Sequence, residues 1–254
     1  MTILFGLTIG SFLNVCIVRI PRRQSIITPP SRCLNCEATL RWWHNIPLIS
    51  FILLKGHCYF CGQRISNRYP LIEALTAVLL LGLFLQFNWS ADFFFYLVLT
   101  LLLIPIAMID LEHFLIFDII SIPGIILGLV LALVLQLSNF TIYEALLGSV
   151  IGAGTMLIIR FLGNIVFKKD TMGFGDIKLA GLIGAFLGWQ LVLLSIFWAA
   201  ILIVMIALIQ VLFNKTVTNT KYPYGFYFSI AAILGIFFGD EVIQVYLNFI
   251  FQTN

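Results

Sequence analysis

The chain has 254 residues, 61% of them hydrophobic and only 10% charged, with a mean hydropathy of +1.09. A soluble domain carries about a quarter charged residues, and one aqueous core could not absorb this much hydrocarbon, so a wholly soluble protein is excluded and lipid solvates most of the chain. The net charge of +3 is too small to call for a nucleic-acid partner.

At about 20 residues per span, the chain holds about eight apolar segments, near 1–20, 70–87, 93–110, 117–136, 142–166, 177–189, 191–213 and 224–250. The pattern predicts an all-α polytopic membrane protein. The first segment lacks a basic stretch before it, has Arg19, Arg22 and Arg23 after it, and ends on no small-residue cleavage site. It reads as a retained first helix, 1–20, and not as a signal peptide.

Residues 21–69 depart from the apolar pattern and hold four of the five cysteines, which predicts a small cytoplasmic domain inserted between the first two helices. Within it, Trp42 to Leu54 is apolar but too short to span, and His44, Asn45 and Pro47 interrupt it; it reads as buried or interface-lying. Cys33-x-x-Cys36 and Cys58-x-x-Cys61 are separated by 21 residues. Each pair can present two thiolates from one turn, and two turns complete a tetrahedron around zinc. Two disulfides are the rival reading, disfavoured in a reducing cytosol. Four thiolates leave no open position, so the expected zinc is structural. Cys16, inside the first helix, reads as a packing residue.

The remainder, 70–254, reads as helices and short loops forming one membrane domain. Pro70 suits a first helical turn and Glu73 a position favoured by the helix dipole. Gly148-x-x-x-Gly152 and Gly181-x-x-Gly184 permit close helix approach. The basic residues, Lys168, Lys169, Lys215 and Lys221 among them, all fall on or near one side of these segments, while Gln86–Asp92, Gln136–Thr141 and Trp189–Leu191 carry no Lys or Arg. This positive-inside pattern makes the basic side cytoplasmic and sends both chain ends outward.

Two acids stand at span ends on that side. Asp110 closes an apolar run, and Asp176 closes Gly173-Phe174-Gly175-Asp176. Two neighbouring carboxyls cannot both ionise easily, so one can hold a proton while the other takes one from an attacking water; that proton belongs to the pair. Gly173 and Gly175 would let backbone approach a substrate or adopt positive φ, and Lys178 reads as a charge partner or interface anchor. By chemistry alone Glu112, His113 and Asp118 compete with Asp110, and Asp170 with Asp176; a solvated helix cap is the bland alternative.

Taken in order, the motifs resemble the bacterial type IV prepilin peptidases, GxGD-type aspartyl proteases. The likeness runs through Gly10-Ser11-Phe12-Leu13-Asn14-Val15, Arg19-Ile20-Pro21-Arg22, the two cysteine pairs, Trp42-Trp43-His44-Asn45-Ile46-Pro47, Arg68-Tyr69-Pro70 with Glu73, Asp110-Leu111-Glu112-His113 and Gly173-Phe174-Gly175-Asp176-Ile177-Lys178. The resemblance implies that Asp110 and Asp176 are catalytic, and that prepilin or pseudopilin leaders are cut at the cytoplasmic face of the inner membrane, in pilus, secretion or competence systems. It also implies N-methylation of the new amino terminus with S-adenosylmethionine, associated with the cysteine-bearing insert. The family usually has a proline where Phe117 stands; Asp118 is then expected to serve structure or substrate contact. A transporter or proton relay using the same aspartates is the alternative, which would place acids near mid-span in two matching halves.

Overall fold

A computed structural model describes residues 1–252 except 136, 139, 169, 171 and 214–220. Gln136, Lys169 and Lys215, used above to assign sides, therefore lie outside the described residues. The described chain is almost wholly helical and divides into two compact units, Met1–Trp89 and Ser90–Asn254.

In the first unit, α1 (Thr2–Arg19) packs against α3 (Arg68–Phe87). Glycines permit the approach: a Cβ on Gly6 would stand 2.6 Å from Ala77 Cα, and one on Gly10 2.7 Å from Glu73 Cα. Close backbone contact of this kind substitutes for the hydrophobic effect between helices in lipid. Between them lie a 3-10 turn, Trp42–Asn45, and the short α2, Ile49–Leu53. The apolar side chains here are not buried; Trp42, Ile52 and Leu53 are exposed. Because α3 starts at Arg68, two residues ahead of Pro70, Glu73 lies beyond its first turn and is buried, so it is no dipole-facing surface carboxylate.

In the second unit, α4 (Ala91–His113) is capped by Ser90, whose Oγ accepts the Phe93 N–H at 3.2 Å, and ends at Phe114 in the left-handed region. After α5 (Asp118–Val134) comes α6 (Ile142–Phe167), which opens on a capping box of Thr141 and Glu144. The long α7 (Phe174–Leu212) packs against α4, α5, α6 and α8 (Tyr224–Gln252). Its first half is buried on every side from Leu179 to Gly188, as an all-apolar helix at a bundle centre must be.

Among the described residues, six helices are long and apolar enough to cross a membrane, and α5 is apolar but only 17 residues long. The expected segments 177–189 and 191–213 correspond to the two helical halves that join within the 39 residues of α7. A continuous helix of that length would run about 58 Å, roughly twice the hydrocarbon core. It is interrupted at Gly188, with φ 77° and ψ 177°, a conformation open essentially to glycine alone. No polar loop marks the break. The close approach expected of the small residues is present between α6 and α7, where a Cβ on Gly148 or on Gly184 would collide with the other's carbonyl oxygen.

Candidate functional site

Three sites can be built from these elements, one in the second unit and two in the first. Asp110 lies in the last turn of α4 and is buried. Its Oδ2 accepts the Phe226 N–H at 3.0 Å, and the Gly225 N–H also bonds to it. Those amides belong to the first turn of α8, whose N–H groups have no partner within the helix. Asp110 thus supplies from α4 the cap that α8 lacks in its own sequence.

Asp176 is the third residue of α7, and its carboxylate reaches back to the N–H of Gly173, the residue that caps the helix. It is half-buried, within reach of the opposing charges of Asp110 and Arg160, and its own charge reaches Tyr224. The two acids are thus brought together at the N-terminal ends of α7 and α8. Positive helix-end dipoles favour negative charge there.

Of the two glycines beside Asp176, only Gly175 is in close packing contact. Gly173 has φ −71°, and no positive φ occurs in Gly173-Phe174-Gly175. A Cβ on Gly175 would stand 2.8 Å from Ile116 Cβ, and one on Gly225 2.9 Å from Ile116 Cδ1, so Ile116 is wedged between the first turns of α7 and α8. Phe117, in the family's proline position, has φ −84°, close to the −65 ± 15° that proline imposes (about −65°).

The competing acids part company with the pair. Asp118 pairs with Lys178, Oδ1 to Nζ 2.6 Å, tying the start of α5 to the start of α7. Glu112 and His113 are exposed. Asp170 is exposed and bonded to Arg160 at 3.2 Å and to Asn164 at 3.4 Å. Arg160 does more than mark a side: it donates to the Met172 carbonyl and its guanidinium lies 3.9 Å from the Phe174 ring centroid, pinning the loop that carries Asp176. Its signal was available, since a lone arginine within an apolar helix is seldom idle. Gly225 and Phe226 had no such signal beyond Pro223 and a glycine.

In the first unit, a cavity of about 500 Å³ is lined among others by Asn14, Arg19, His44, Tyr59, Arg64 and Glu73. Glu73 Oε2 accepts the Leu48 N–H at 2.8 Å, and Leu48 itself is held at φ 57°. The Asn14 amide donates to the carbonyls of Gly10 and Tyr69, at 3.3 and 3.1 Å, leaving its buried Oδ1 without a partner. His44 Nδ1 is likewise buried and unpartnered, and its ring stacks on Tyr59 at 4.7 Å.

The ligand sulfurs of Cys33, Cys36, Cys58 and Cys61 all lie within 4.8 Å of one another, and none is in a disulfide. The two turns are built alike. In each, the first cysteine's N–H bonds to the carbonyl five residues on, to Ala38 at 3.0 Å and Gln63 at 2.8 Å. The fourth residue after it bonds back and takes positive φ, Glu37 at 56° and Gly62 at 68°. The Gln63 N–H, followed by its sulfur neighbours, draws the Cys61 thiol down to about 7. Tetrahedral Zn–S bonds of about 2.3 Å require sulfurs about 3.8 Å apart; Cys33 and Cys61 are 3.9 Å apart. The donor set and its spacing fit a four-thiolate metal site.

Residues 4–87 match the bacterial peptidase A24 N-terminal domain, and residues 95–208 match the type IV leader peptidase family. The chain is similar to a "Prepilin leader peptidase/N-methyltransferase" of Myxococcus xanthus, 41% identical over 74% of this chain and 56% of that one. Proteins of the same name from Pseudomonas aeruginosa and Stutzerimonas stutzeri are 31% and 32% identical, over 98% and 97% of this chain and 93% of each of theirs. No solved structure matches. Matched along both of its units, this multi-pass membrane protein belongs to the type IV leader peptidase family.

Proposed function

We propose that this protein removes the leader of prepilins or pilin-like pseudopilins, at the cytoplasmic face of the inner membrane, with Asp110 and Asp176 as the catalytic pair. The observation that carries the reading is the meeting of these two acids at the first turns of α7 and α8, although they lie far apart in the chain. One carboxyl holds a proton and donates it toward the scissile carbonyl or leaving amine, while the other takes a proton from the attacking water. The proton is shared by the pair. The amides of Gly225 and Phe226 and the loop pinned by Arg160 keep the two carboxyls in register, a precision worth up to ~10²-fold in rate per 1 Å of misplacement.

A second activity, N-methylation of the freed amino terminus, belongs in this reading to the first unit, with residues 21–69 as its cytoplasmic part and residues 70–254 carrying the cleavage. Support comes from the cavity, whose ~500 Å³ lies within the range of small-molecule sites. The His44–Tyr59 stack offers a platform for the base of S-adenosylmethionine, and Arg22, Arg32 and Arg64 on the lining would hold its carboxylate. When bound, that donor supplies an activated methyl group. Zinc in the four-cysteine cluster would brace the wall formed by the two turns, with no coordination position open for chemistry.

The test co-expresses a prepilin with the wild-type protein, with Asp110→Asn or with Asp176→Asn, and follows leader removal by gel mobility. Each isosteric change is expected to reduce processing by roughly 10²- to 10⁴-fold, the range that acid–base catalysis supplies, while the protein still reaches the membrane. Normal processing by either variant would remove the assignment.

A further inference from the structure

Among the buried polar side chains that line the first unit's cavity, Glu73 and Asn14 present acceptor oxygens. Glu73 is 7% exposed and Asn14 1% exposed, and both sit where α1 and α3 touch at Gly10. Burying an ionised carboxylate is costly unless a cation or enough hydrogen bonds compensate. Glu73 receives two, from the Leu48 N–H and from the Ser11 hydroxyl, and no Lys, Arg or His among the described residues ion-pairs with it. Asn14 points its NH2 at two carbonyls, so its orphaned Oδ1 asks for a donor. Leu48, which delivers its N–H to Glu73, is held at φ 57°, a backbone region that persists only where the surroundings impose it. A buried carboxylate with no cation paired to it and an amide oxygen without a donor, lining one cavity, specify a ligand that brings N–H bonds and a positive charge.

We propose that Glu73 and Asn14 bind the newly freed amino terminus of the cleaved substrate and that Glu73 accepts its proton; this rests on the methyltransferase reading above. The amino group arrives as an ammonium, with three donors. Glu73 takes one proton, which frees the nitrogen lone pair. The nitrogen then forms its bond to the methyl carbon as the carbon–sulfur bond of the sulfonium donor breaks, leaving a neutral thioether and a methylammonium. Asn14 Oδ1 holds a remaining N–H and so aims the lone pair, and Glu73 returns its proton to water.

Both the substrate and the methyl donor carry a primary amino group, so the experiment separates them. Full-length protein in detergent is titrated with a peptide beginning at the processed amino terminus, with its Nα-acetylated counterpart, and with S-adenosylhomocysteine, the thioether product. Wild type is expected to bind the free-amine peptide about tenfold or more tighter than the acetylated one. Glu73→Gln should erase that preference and Asn14→Ala reduce it, with thioether affinity unchanged in both. An amine preference that survives Glu73→Gln, or thioether affinity lost in its place, overturns the proposal. Loss of both affinities in Glu73→Gln and Glu73→Asp alike marks a structural role and overturns it too. Wild type that prefers the amine yet transfers no labelled methyl group overturns the methyltransferase reading, and with it the proton-acceptor role of Glu73.

Discussion

A Cβ added at Gly225 would stand 3.0 Å from Asp110 Oδ2 and 2.9 Å from Ile116 Cδ1, inside the contact that caps α8. The added methyl must displace the carboxylate or the Ile116 side chain, and neither is the loose end of a long surface residue. Gly225→Ala is therefore expected to leave a folded protein whose kcat for leader removal falls by roughly 10- to 100-fold. Gly154→Ala is the control, because a Cβ there meets nothing within 4 Å; its cleavage rate should match wild type. Asp170 makes the complementary case. It is exposed and its ion pair with Arg160 is a surface one, so Asp170→Asn should cost at most about 1 kcal/mol in stability and leave the carboxyl pair in place.

At the scale of elements, the break in α7 and the contact of α6 with α7 depend on backbone shape. Gly188 adopts φ 77° and ψ 177°, and Gly188→Ala should destabilise the protein by about 1–3 kcal/mol. Gly184→Ala should be worse, because its Cβ would meet the backbone carbonyl of Gly148, which cannot swing aside as a side chain can. Thermal unfolding in detergent orders the two variants, and the reverse order would show that the helices separate more easily than the break is lost. The cysteine turns obey the same logic. Their matching bonds and matching positive φ at Glu37 and Gly62 make them two copies of one local device, and the sulfurs converge only because both copies face each other.

For the whole molecule, the division into two compact units suggests two activities that can be lost separately. Stripping metal with a chelator, or substituting Cys33→Ser, should remove about one zinc per chain. It should also raise proteolytic sensitivity in residues 21–67 and reduce methyl transfer, since the cavity shares Cys33 and Cys58 with the cluster. Leader removal, which we propose rests on Asp110 and Asp176 in the second unit, should persist. Metal analysis, limited proteolysis and the two activity assays on one preparation check all of this, and equal loss of both activities would mean the units do not work apart.

What could be read from the residue order was whatever near neighbours carry. Hydropathy over windows of about 20 residues announces the membrane and most helices, and paired cysteines announce two turns able to hold metal. Asp110 was visible as the acid closing an apolar run, and Asp176 as the acid closing Gly173-Phe174-Gly175-Asp176. The tertiary structure alone decided the rest. That Asp110 caps α8 depends on helix packing that brings residue 110 to residue 226. Arg160 took on its loop-pinning role, and Glu73 its burial, only once α6 met the Asp176 loop and α1 met α3. The break at Gly188 falls one residue before the end of the expected segment 177–189, while the glycine conformation that makes it is set by neighbours on α6. Local sequence records solvent preference and turn chemistry; which orphaned donor meets which distant carboxylate is a property of packing.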